Sequence, residues 1–472
     1  MIFNSLDFLL FFPIVYFLYL KTTHKVQNRM LLVASYFFYG YWDVRYLVLL
    51  FVSSVIDYIA SIGIENSSDN LKRKKLYLTL SVCSNLGILG FFKYYNFFVV
   101  SAKDALGGLG FSVNPVLLNY ALPLGISFYT FQTMSYTIDV YRGELKPVRN
   151  FFDFALFVSF FPQLVAGPIE RATRLLPQVL SERKISYDEL QKGAFLCLLG
   201  FFKKVFVADN LSFIVDPIFS NKSATGFEVF IACWAFFFQI YGDFSGYSDI
   251  ARGLSKFMGF ELMRNFNLPM FSSNIVDLWK RWHISFMTWL RDYLYYSLGG
   301  SKVSVFRQHA NNIITFFVSG LWHGASWHFV LWGLYGGILT SLYRIMQPYI
   351  PKLGGDNIRF IKNGKLIIKI FFTVGLFAIS AVFFRASEVS VSFLLLKKLF
   401  FEFGLIDPIL FEKVLKIIFL LVLIEIHQYR TNDEFSIFKL STGVRTIAYL
   451  AMFYSILILG NFNKNEFIYF VF

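Results

Sequence analysis

Long apolar runs separated by short polar loops extend over the whole chain. A helix needs about 17 to 25 apolar residues to cross a bilayer. Runs suited to such helices lie near residues 1–20, 29–64, 76–100, 116–139, 193–219, 227–250, 310–343, 366–385, 413–426 and 443–460. No soluble domain remains once these runs are assigned. The pattern therefore predicts an all-α, polytopic integral membrane bundle that holds the entire chain.

The apolar pattern changes after residue 150. From "FFPQLVAGPIERATRLLPQV" (160–179) onward, prolines, glycines and charges interrupt the runs. Non-helical backbone at membrane depth is tolerated only where protein buries it or a water-filled cavity satisfies it. We therefore expect re-entrant or interfacial helices around a central chamber. The expected organisation is a single transmembrane domain, 1–472, with N-terminal spanning helices (1–150), a core (151–345) and C-terminal spanning helices (346–472).

Composition supports this class of protein. Of 472 residues, 56% are hydrophobic and 16% charged, whereas soluble domains carry roughly a quarter charged residues. The net charge of +14 could indicate a nucleic-acid partner, but the basic residues are scattered in short loops, as is typical of cytoplasmic loops. We expect no nucleic-acid partner, a lipid bilayer around the chain, and loops 21–29, 65–76 and 141–150 inside, with 101–120 outside.

The ends and the cysteines of the chain predict little chemistry. Asp7 stands where a secretory signal would carry Lys or Arg, and no cleavage motif follows, so we expect a retained first helix. Cys83, Cys197 and Cys233 match neither a disulfide framework nor a metal motif. We expect them to be packing residues, with no bound metal and no bound cofactor.

The segment "NIVDLWKRWHISFMTWLRDYLYYSLGG" (274–300) combines tryptophans with basic residues. At helical spacing, one face carries Trp279, His283, Phe286, Leu290, Tyr293 and Ser297. The pattern predicts one amphipathic helix at the membrane interface. An aromatic anchor without chemistry would carry the same pattern, because indole rings settle at that depth.

The stretch "SGLWHGASWHF" (319–329) lies in an uncharged region from Gln308 to Tyr343. An ionisable group inside the membrane is costly and is by default a functional hypothesis. A neutral imidazole can take a proton from a hydroxyl and return it later. His323, flanked by small residues that allow close approach, is thus a candidate general base. For His328 we expect a core histidine satisfied by a neighbouring carbonyl.

Six motifs stand in order along the chain: "LPLGISFYTFQTMSYTIDVYRGE" (122–144), "FFPQLVAGPI" (160–169), "YGDFSGYSDIARGLSKFMGFELMRNFNLPMFSSNI" (241–275), "DLWKRWHISFMTWLRDYLYYSLGG" (277–300), "GLWHGASWHFVLWGLYGG" (320–337) and "FFRA" (383–386). These motifs resemble the membrane-bound O-acyltransferase (MBOAT) family, in particular the bacterial branch with the membrane subunit of alginate O-acetylation and relatives that act on peptidoglycan. Together they cover most of residues 120–390.

The resemblance implies both a reaction and a site. His323 corresponds to the family's membrane histidine and His283 to its second polar position. The implied reaction is acyl transfer from a thioester, acetyl-CoA as co-substrate, to a hydroxyl of an extracytoplasmic polysaccharide. An SGNH-type extracytoplasmic acetyltransferase is the implied partner, and the bacterial cytoplasmic membrane the implied location. Around the donor we expect Trp279, Trp282, Trp322 and Arg281 to bind substrate and Lys280 or Arg281 to bind a phosphate of CoA.

Other functions stay open at the level of the sequence. D-alanyl or another acyl group from a carrier protein would need the same histidine, although "RDYLYYSLGG" favours acetyl transfer. A membrane transporter of an envelope metabolite would use histidines as proton relays, and a noncatalytic scaffold would tolerate the loss of His323. The acceptor is equally open among alginate, peptidoglycan, cellulose and other exopolysaccharides.

Overall fold

The computed structural model describes residues 1–119, 121–350, 359–462 and 467–468. In these ranges the regular structure is entirely helical. Six segments are long and apolar enough to cross a membrane: Val44–Asn66, Leu71–Gly108, Gly226–Phe257, Trp327–Tyr349, Gly364–Arg385 and Thr442–Leu459. Leu6–Leu20 is a shorter apolar helix. The prediction of an all-α polytopic membrane protein is confirmed.

The chain divides into two compact units, of which the first contains residues 1–194 and 251–263. Its helices are α1 (Leu6–Leu20), α2 (His24–Gly40), α3 (Leu47–Asn66), α4 (Leu71–Leu89), α5 (Tyr95–Gly108), α6 (Ile126–Arg142), α7 (Phe151–Ser159), α8 (Phe161–Leu164), α9 (Ala172–Leu180) and the start of α10 (Tyr187–Phe201). A π-helical turn, Gly90–Tyr94, joins α4 to α5.

The interrupted segment after residue 150 folds into the short helices α7, α8 and α9, as the prolines and glycines predicted. Its backbone is buried almost throughout from Phe154 to Glu170. The carbonyl of Phe157 accepts hydrogen bonds from the side-chain amides of Gln132 (2.8 Å) and Gln163 (2.7 Å). Side chains thus provide hydrogen bonds for a backbone carbonyl in the interrupted helical segment. Backbone groups at membrane depth need such partners because lipid offers none.

The second unit contains residues 195–250 and 264–472. Its helices are the end of α10, α11 (Asp209–Ser220), most of α12 (Gly226–Phe257), α13 (Ile275–Arg281), α14 (Ile284–Trp289), α15 (Val305–His323), α16 (Trp327–Met346), α17 (Arg359–Ile379), α18 (Ala381–Arg385), α19 (Val389–Phe401), α20 (Pro408–Thr431) and α21 (Thr442–Leu459). π-helical turns occupy Phe202–Ala208 and Leu290–Tyr295.

Helices α15 and α16 form the uncharged region as a closely packed hairpin rather than one long span. A Cβ on Gly320 would lie 2.3 Å from the carbonyl oxygen of Phe329, and one on Gly333 would lie 2.2 Å from that of Phe316. Only glycine permits such contact between the two backbones. The small residues around His323 therefore bring two helices together, and they fix where α15 ends.

Candidate active site

His323 is the last residue of α15 and is buried, with 4% of its surface exposed. Gly324 ends the helix in an extended conformation, and a Cβ there would collide with the ring of Phe329 at 2.2 Å. The imidazole consequently sits at the tip of a helix held against α16. This geometry places an ionisable side chain in the interior of the second unit.

Aromatic rings surround His323 on several sides. Edge-to-face contacts join its imidazole to the rings of Trp332 (4.8 Å), Trp322 (5.1 Å), Phe384 (5.4 Å) and Phe286 (5.6 Å). The indole N–H of Trp332 donates to Ser380 Oγ (3.1 Å), which fixes that wall. An apolar wall of this kind excludes water and strengthens every electrostatic interaction inside it.

A small cavity opens directly beside His323. Its volume is about 20 Å³, roughly the room that one or two water-sized groups need. Its lining comprises Phe236, Phe237, Ile240, Trp282, His323, Trp332, Phe377, Ala378, Ser380, Ala381 and Phe384. A group the size of an acetyl methyl can thus approach the imidazole, among rings that leave little further space.

The prediction of one continuous amphipathic helix over 274–300 was wrong. The segment breaks between α13 and α14, where His283 adopts φ 43° and ψ 54°, in the left-handed region. Asn265 stabilises this break with two hydrogen bonds. Its backbone carbonyl accepts one from the N–H of Ile284 (2.8 Å), and its side-chain oxygen accepts one from the N–H of Ser285 (3.4 Å). A non-glycine residue in this conformation is strained and persists only where its surroundings over-determine it, often at functional sites.

The break turns His283 inward, where it is 1% exposed. Its ring packs edge-to-face on Phe244 (4.5 Å) and stacks on Phe286 (4.9 Å). Burial lowers the pKa of the His283 imidazole well below its usual range, and the neighbouring His323 lowers it further. The His283 side chain is therefore neutral at pH 7, with one ring nitrogen as donor and the other as acceptor.

His283 and His323 share the same aromatic partners. Phe286 contacts both rings, at 4.9 and 5.6 Å, and Trp322 contacts both, at 5.7 and 5.1 Å. Two histidines that are 40 positions apart in sequence are thus brought into one chamber. The chamber consists of the two imidazoles and the rings of Phe286 and Trp322 that contact both of them. In the part of the chain that the structure describes, the His323 ring lines the small cavity and the His283 ring does not.

The structure confirms the interpretation of His328 as a core histidine. Its Nδ1 lies 3.0 Å from the carbonyl oxygen of Phe383, and the residue is buried. A backbone carbonyl satisfies one ring nitrogen and fixes the ring orientation, as expected for a packing role.

The three tryptophans singled out from the sequence all lie in the second unit and are buried: Trp279 at 7%, Trp282 at 3% and Trp322 at 2% exposure. Trp282 lines the cavity beside His323, whereas Trp279 contacts Trp332 edge-to-face at 5.9 Å. The indole N–H of Trp279 is buried and has no hydrogen-bond partner among the described residues. A ligand carbonyl would satisfy it.

A larger cavity of about 530 Å³ lies on the other side of Trp279. Lys280, Arg291 and Arg344 contribute its cationic lining. Arg281 is engaged elsewhere, because its guanidinium pairs with Asp277 (2.9 Å) and donates to the carbonyl of Asn267 (3.2 Å). Of the two neighbouring basic residues, Lys280 is thus the one that faces this cavity.

The sequence pattern did not single out Phe384 and Asn265, which contact the two histidines' surroundings, or Arg291 and Arg344, which line the larger cavity. Phe384 belongs to the motif "FFRA" and Asn265 to "ELMRNFNLP", but neither carries a chemical group that indicates catalysis. Their roles depend on which distant segments meet. In the part of the chain that the structure describes, no three His, Cys, Asp or Glu side chains are grouped to hold a metal ion.

Comparison with known protein families agrees with this chamber. A sequence model described as MBOAT, membrane-bound O-acyltransferase family, matches residues 138–387. That range contains both histidines, the broken segment and the α15–α16 hairpin.

Curated relatives extend the match over most of the chain. A probable alginate O-acetylase of Azotobacter vinelandii is 42% identical over 349 residues, 74% of this chain and 69% of the relative. A peptidoglycan O-acetyltransferase of Helicobacter pylori is 35% identical over 78% of this chain and 72% of the relative. A teichoic acid D-alanyltransferase of Bacillus subtilis is 30% identical over 48% of this chain and 60% of the relative.

Proposed function

The chain belongs to the membrane-bound O-acyltransferase family, and we propose that this multi-pass enzyme transfers an acetyl group from acetyl-CoA to a hydroxyl of an extracytoplasmic polysaccharide. The observation that carries the proposal is that His323 and His283 lie in one buried aromatic chamber, where Phe286 contacts both imidazoles, with a small cavity beside His323. The reaction takes place in the bacterial cytoplasmic membrane.

The names of the relatives favour acetyl as the acyl group. Those at 35% and 42% identity, each matched over about three quarters of this chain, are an O-acetyltransferase and an O-acetylase. The D-alanyltransferase relative is more distant and matches about half of the chain. Alginate and peptidoglycan, the acceptors in those names, represent the proposed acceptor class.

His323 acts as the general base in the proposed step. Its neutral imidazole accepts the proton of the acceptor hydroxyl while the oxygen attacks the thioester carbonyl. The new C–O bond forms, the C–S bond breaks, and the proton passes from the imidazole to the departing CoA thiolate. His283, neutral because of its burial, donates a hydrogen bond to the oxyanion of the tetrahedral intermediate. The products are an ester and a free thiol, and no proton is gained or lost overall.

The donor occupies the larger cavity in this proposal. Lys280 and Arg344, with Arg291 beside them, supply positive charge for the phosphates of CoA. Trp279 borders this cavity and also a smaller one that it shares with Trp332. Trp332 in turn lines the cavity at His323. The thioester arm therefore runs past Trp279, whose indole N–H meets a carbonyl of the donor, to the two histidines.

The acceptor side of the reaction involves a second protein. We propose that an SGNH-type extracytoplasmic acetyltransferase receives the acetyl group or presents the polysaccharide hydroxyl. A serine hydroxyl of such a partner and a sugar hydroxyl present the same group to His323, so one base can activate either.

The test is acetyl transfer by purified, reconstituted protein given radiolabelled acetyl-CoA, with and without the extracytoplasmic partner. His323→Gln removes the base in an equally sized side chain and should lower turnover by roughly 10²- to 10⁴-fold. His427→Gln is the matched control, since His427 is a partly buried histidine of α20 that is not among the chamber residues. It should turn over like the wild type.

Two results would contradict the proposal. If His323→Gln and wild type released CoA equally fast, His323 would not be the base. If wild type ignored acetyl-CoA with every partner but accepted D-alanine from a charged carrier protein, the acyl group would be D-alanyl. Lys280→Ala should raise the KM for acetyl-CoA and leave kcat unchanged, whereas Arg281→Ala should change this KM less.

A further inference from the structure

The motif "YGDFSGYSDI" (241–250) places carboxylates in the middle of the apolar helix α12, one of the six candidate spans. The reaction proposed above uses none of them. Charges inside a span are rare and costly, and they are retained for a purpose. Their partners therefore indicate what this motif does.

The partners lie on the π-helical turn Phe202–Ala208. Lys204 Nζ is 2.6 Å from Asp243 Oδ1 and 2.8 Å from Asp209 Oδ1. Lys203 Nζ is 2.9 Å from Asp249 Oδ2 and 3.8 Å from Glu425 Oε1 of helix α20. Both lysines are buried, at 5% and 4% exposure. We call Lys203, Lys204, Asp209, Asp243, Asp249 and Glu425 the buried ion cluster.

Glycines let the π-helical turn press against α12. A Cβ on Gly246 would lie 2.7 Å from the carbonyl oxygen of Gly200 and 3.0 Å from the backbone nitrogen of Lys204. A Cβ on Gly242 would lie 2.9 Å from the carbonyl oxygen of Lys203. The motif therefore combines small residues for close approach with carboxylates that meet the lysines. π-helical turns are rare and occur frequently at functional sites.

Tyr241 connects the buried ion cluster to the catalytic chamber. Its hydroxyl donates a hydrogen bond to Glu425, and Lys203 Nζ lies 5.4 Å from its ring centroid. The same ring packs on Trp282 (6.3 Å) and edge-to-face on Phe266 (5.6 Å). Phe266 stands perpendicular to Trp282 (5.2 Å). One side chain thus contacts both the charges and the residue that precedes His283.

The strained turn at His283 needs such support. Its positive φ is unfavourable for an imidazole-bearing residue, so the surrounding packing must hold it. Trp282 and Phe266 form that packing, with Phe244 of α12 directly on the His283 ring. Buried ion pairs add little net stability compared with apolar packing, but they can fix a unique arrangement.

We propose that Tyr241, anchored by Glu425 and Lys203 of the buried ion cluster, is a positioning residue that holds the Trp282–His283 turn in its catalytic geometry. The inference rests on the proposed function for its kinetic consequence, because His283 matters to turnover only if the chamber transfers an acyl group. The structural consequence, the confinement of His283, can be measured without any turnover.

The first measurement is site-resolved labelling of His283 by diethylpyrocarbonate, read by peptide mass spectrometry on the folded full-length protein in detergent. Tyr241→Phe removes only the hydroxyl and should raise the labelling rate of His283 several-fold. Tyr136→Phe is the matched control: Tyr136 is equally buried and its hydroxyl also bonds, to Ser61 and to the N–H of Val148, within the first unit. This control should leave labelling of His283 at the wild-type rate.

The second measurement is kinetic. A small displacement at a reacting centre can cost up to about 100-fold in rate, so Tyr241→Phe should lower kcat by roughly 10-fold with the KM for acetyl-CoA within about twofold. Glu425→Leu should lower kcat to a similar extent. The double variant Tyr241→Phe/Glu425→Leu should have a kcat close to that of either single variant, because both changes remove the same Tyr241–Glu425 hydrogen bond. Glu425→Gln keeps an acceptor and should restore most of the rate.

The outcomes separate the two proposals. Wild-type labelling of His283 in Tyr241→Phe would overturn the positioning role, whatever the enzyme's activity. Faster labelling together with a wild-type protein that is inert toward acetyl-CoA would uphold the positioning role and reject the donor. Equal changes in Tyr241→Phe and Tyr136→Phe would mean that loss of any buried hydroxyl loosens the protein, which also overturns it.

Discussion

At the residue scale, the chamber depends on two histidines in different backbone settings. His323 closes a regular helix that glycines hold against its neighbour. His283 occupies a left-handed turn, which the hydrogen bonds of Asn265 maintain. The first setting holds the His323 imidazole at the end of a helix packed against α16. The second setting places a strained backbone conformation next to the chamber. Such strain is common at functional sites.

The depressed pKa of His283 predicts an acid-sensitive fold. Because folding lowers this pKa, the unfolded imidazole takes up a proton first as the pH falls below about 6.5, which favours unfolding. The contribution of His283 to the free energy of unfolding is fully present above pH 6.5. It is lost progressively as the pH falls toward the pKa of the folded state. Lowering the pH from 7.5 to 5.5 should therefore reduce the free energy of unfolding, because the unfolded imidazole takes up a proton that the folded one resists.

The variant His283→Asn isolates this contribution. Asparagine tolerates the left-handed conformation better than most residues and does not titrate, so the turn should survive while the pH dependence shrinks. Unfolding free energies in detergent at pH 7.5 and 5.5 measure the difference. An equal loss of stability in His283→Asn and wild type would assign the acid sensitivity to other groups.

At the element scale, close contacts between helices position His323. The α15–α16 hairpin brings backbones together at Gly320 and Gly333, and this contact determines where His323 meets the ring of Trp332. Within the lipid bilayer the hydrophobic effect does not drive helices together. Helix association depends instead on close van der Waals packing, which small residues permit. A glycine also permits close backbone contact at Gly246, where the π-helical turn Phe202–Ala208 packs against α12.

Gly333→Ala should separate α15 from α16. The added methyl would lie 2.2 Å from the carbonyl oxygen of Phe316, and backbone atoms cannot yield as a flexible side chain can. We expect a loss of about 1 to 3 kcal/mol in unfolding free energy and a large fall in turnover. Thermal unfolding in detergent and the acetyl-transfer assay measure both effects.

Gly87→Ala is the control for this prediction. Nothing lies within 4 Å of a Cβ at that position in α4, and alanine favours a helix interior by roughly 0.5 to 1 kcal/mol over glycine. It should be as stable as wild type or more so. If Gly333→Ala behaved in the same way and kept full activity, close approach of the hairpin would be unnecessary for catalysis.

At the scale of the whole molecule, apolar surface and basic loops indicate how the chain lies in a membrane. Helix α21 exposes Ile447, Leu457 and Ile458, and α1 exposes Leu6 and Leu10. Lipid replaces water as the solvent of such surfaces. Lys and Arg are frequent in residues 21–29, 65–76 and 141–150. Because positive charge is in excess on the cytoplasmic side of membrane proteins, we expect these segments inside.

That orientation predicts the accessibility of two loop positions. In a background without the native cysteines, Ser112→Cys should react with a membrane-impermeant maleimide on intact cells, because 101–120 is the segment expected outside. Ser68→Cys should react only after permeabilisation, because 65–76 is expected inside. Both positions are exposed in the structure. The reverse labelling pattern would contradict the expected orientation of the chain.

The sequence alone indicated the class of the protein, which the family match confirms, and it indicated His323 as the candidate base, which stays a prediction. Apolar runs, scattered basic loops and ordered motifs are local properties, so they indicated a membrane acyltransferase before any contact was known. His323 was found because an ionisable residue in an uncharged run is costly wherever the run folds. His328 lies in the same run but lacks the flanking glycines of His323, so it was assigned to packing, and its contact with the Phe383 carbonyl agrees with that assignment. That residues 1–472 form one domain stays a prediction.

Only the tertiary structure decided how the site is assembled. Helical periodicity placed His283 on a continuous helix, but contacts with Asn265 and Phe244 outweigh that local preference and break the segment. Tertiary contacts also place Lys280, rather than Arg281, in the lining of the larger cavity, because the Arg281 guanidinium pairs with Asp277. Contacts between residues far apart in the chain, such as Tyr241 with Glu425, depend on which segments meet, and no local pattern encodes that meeting.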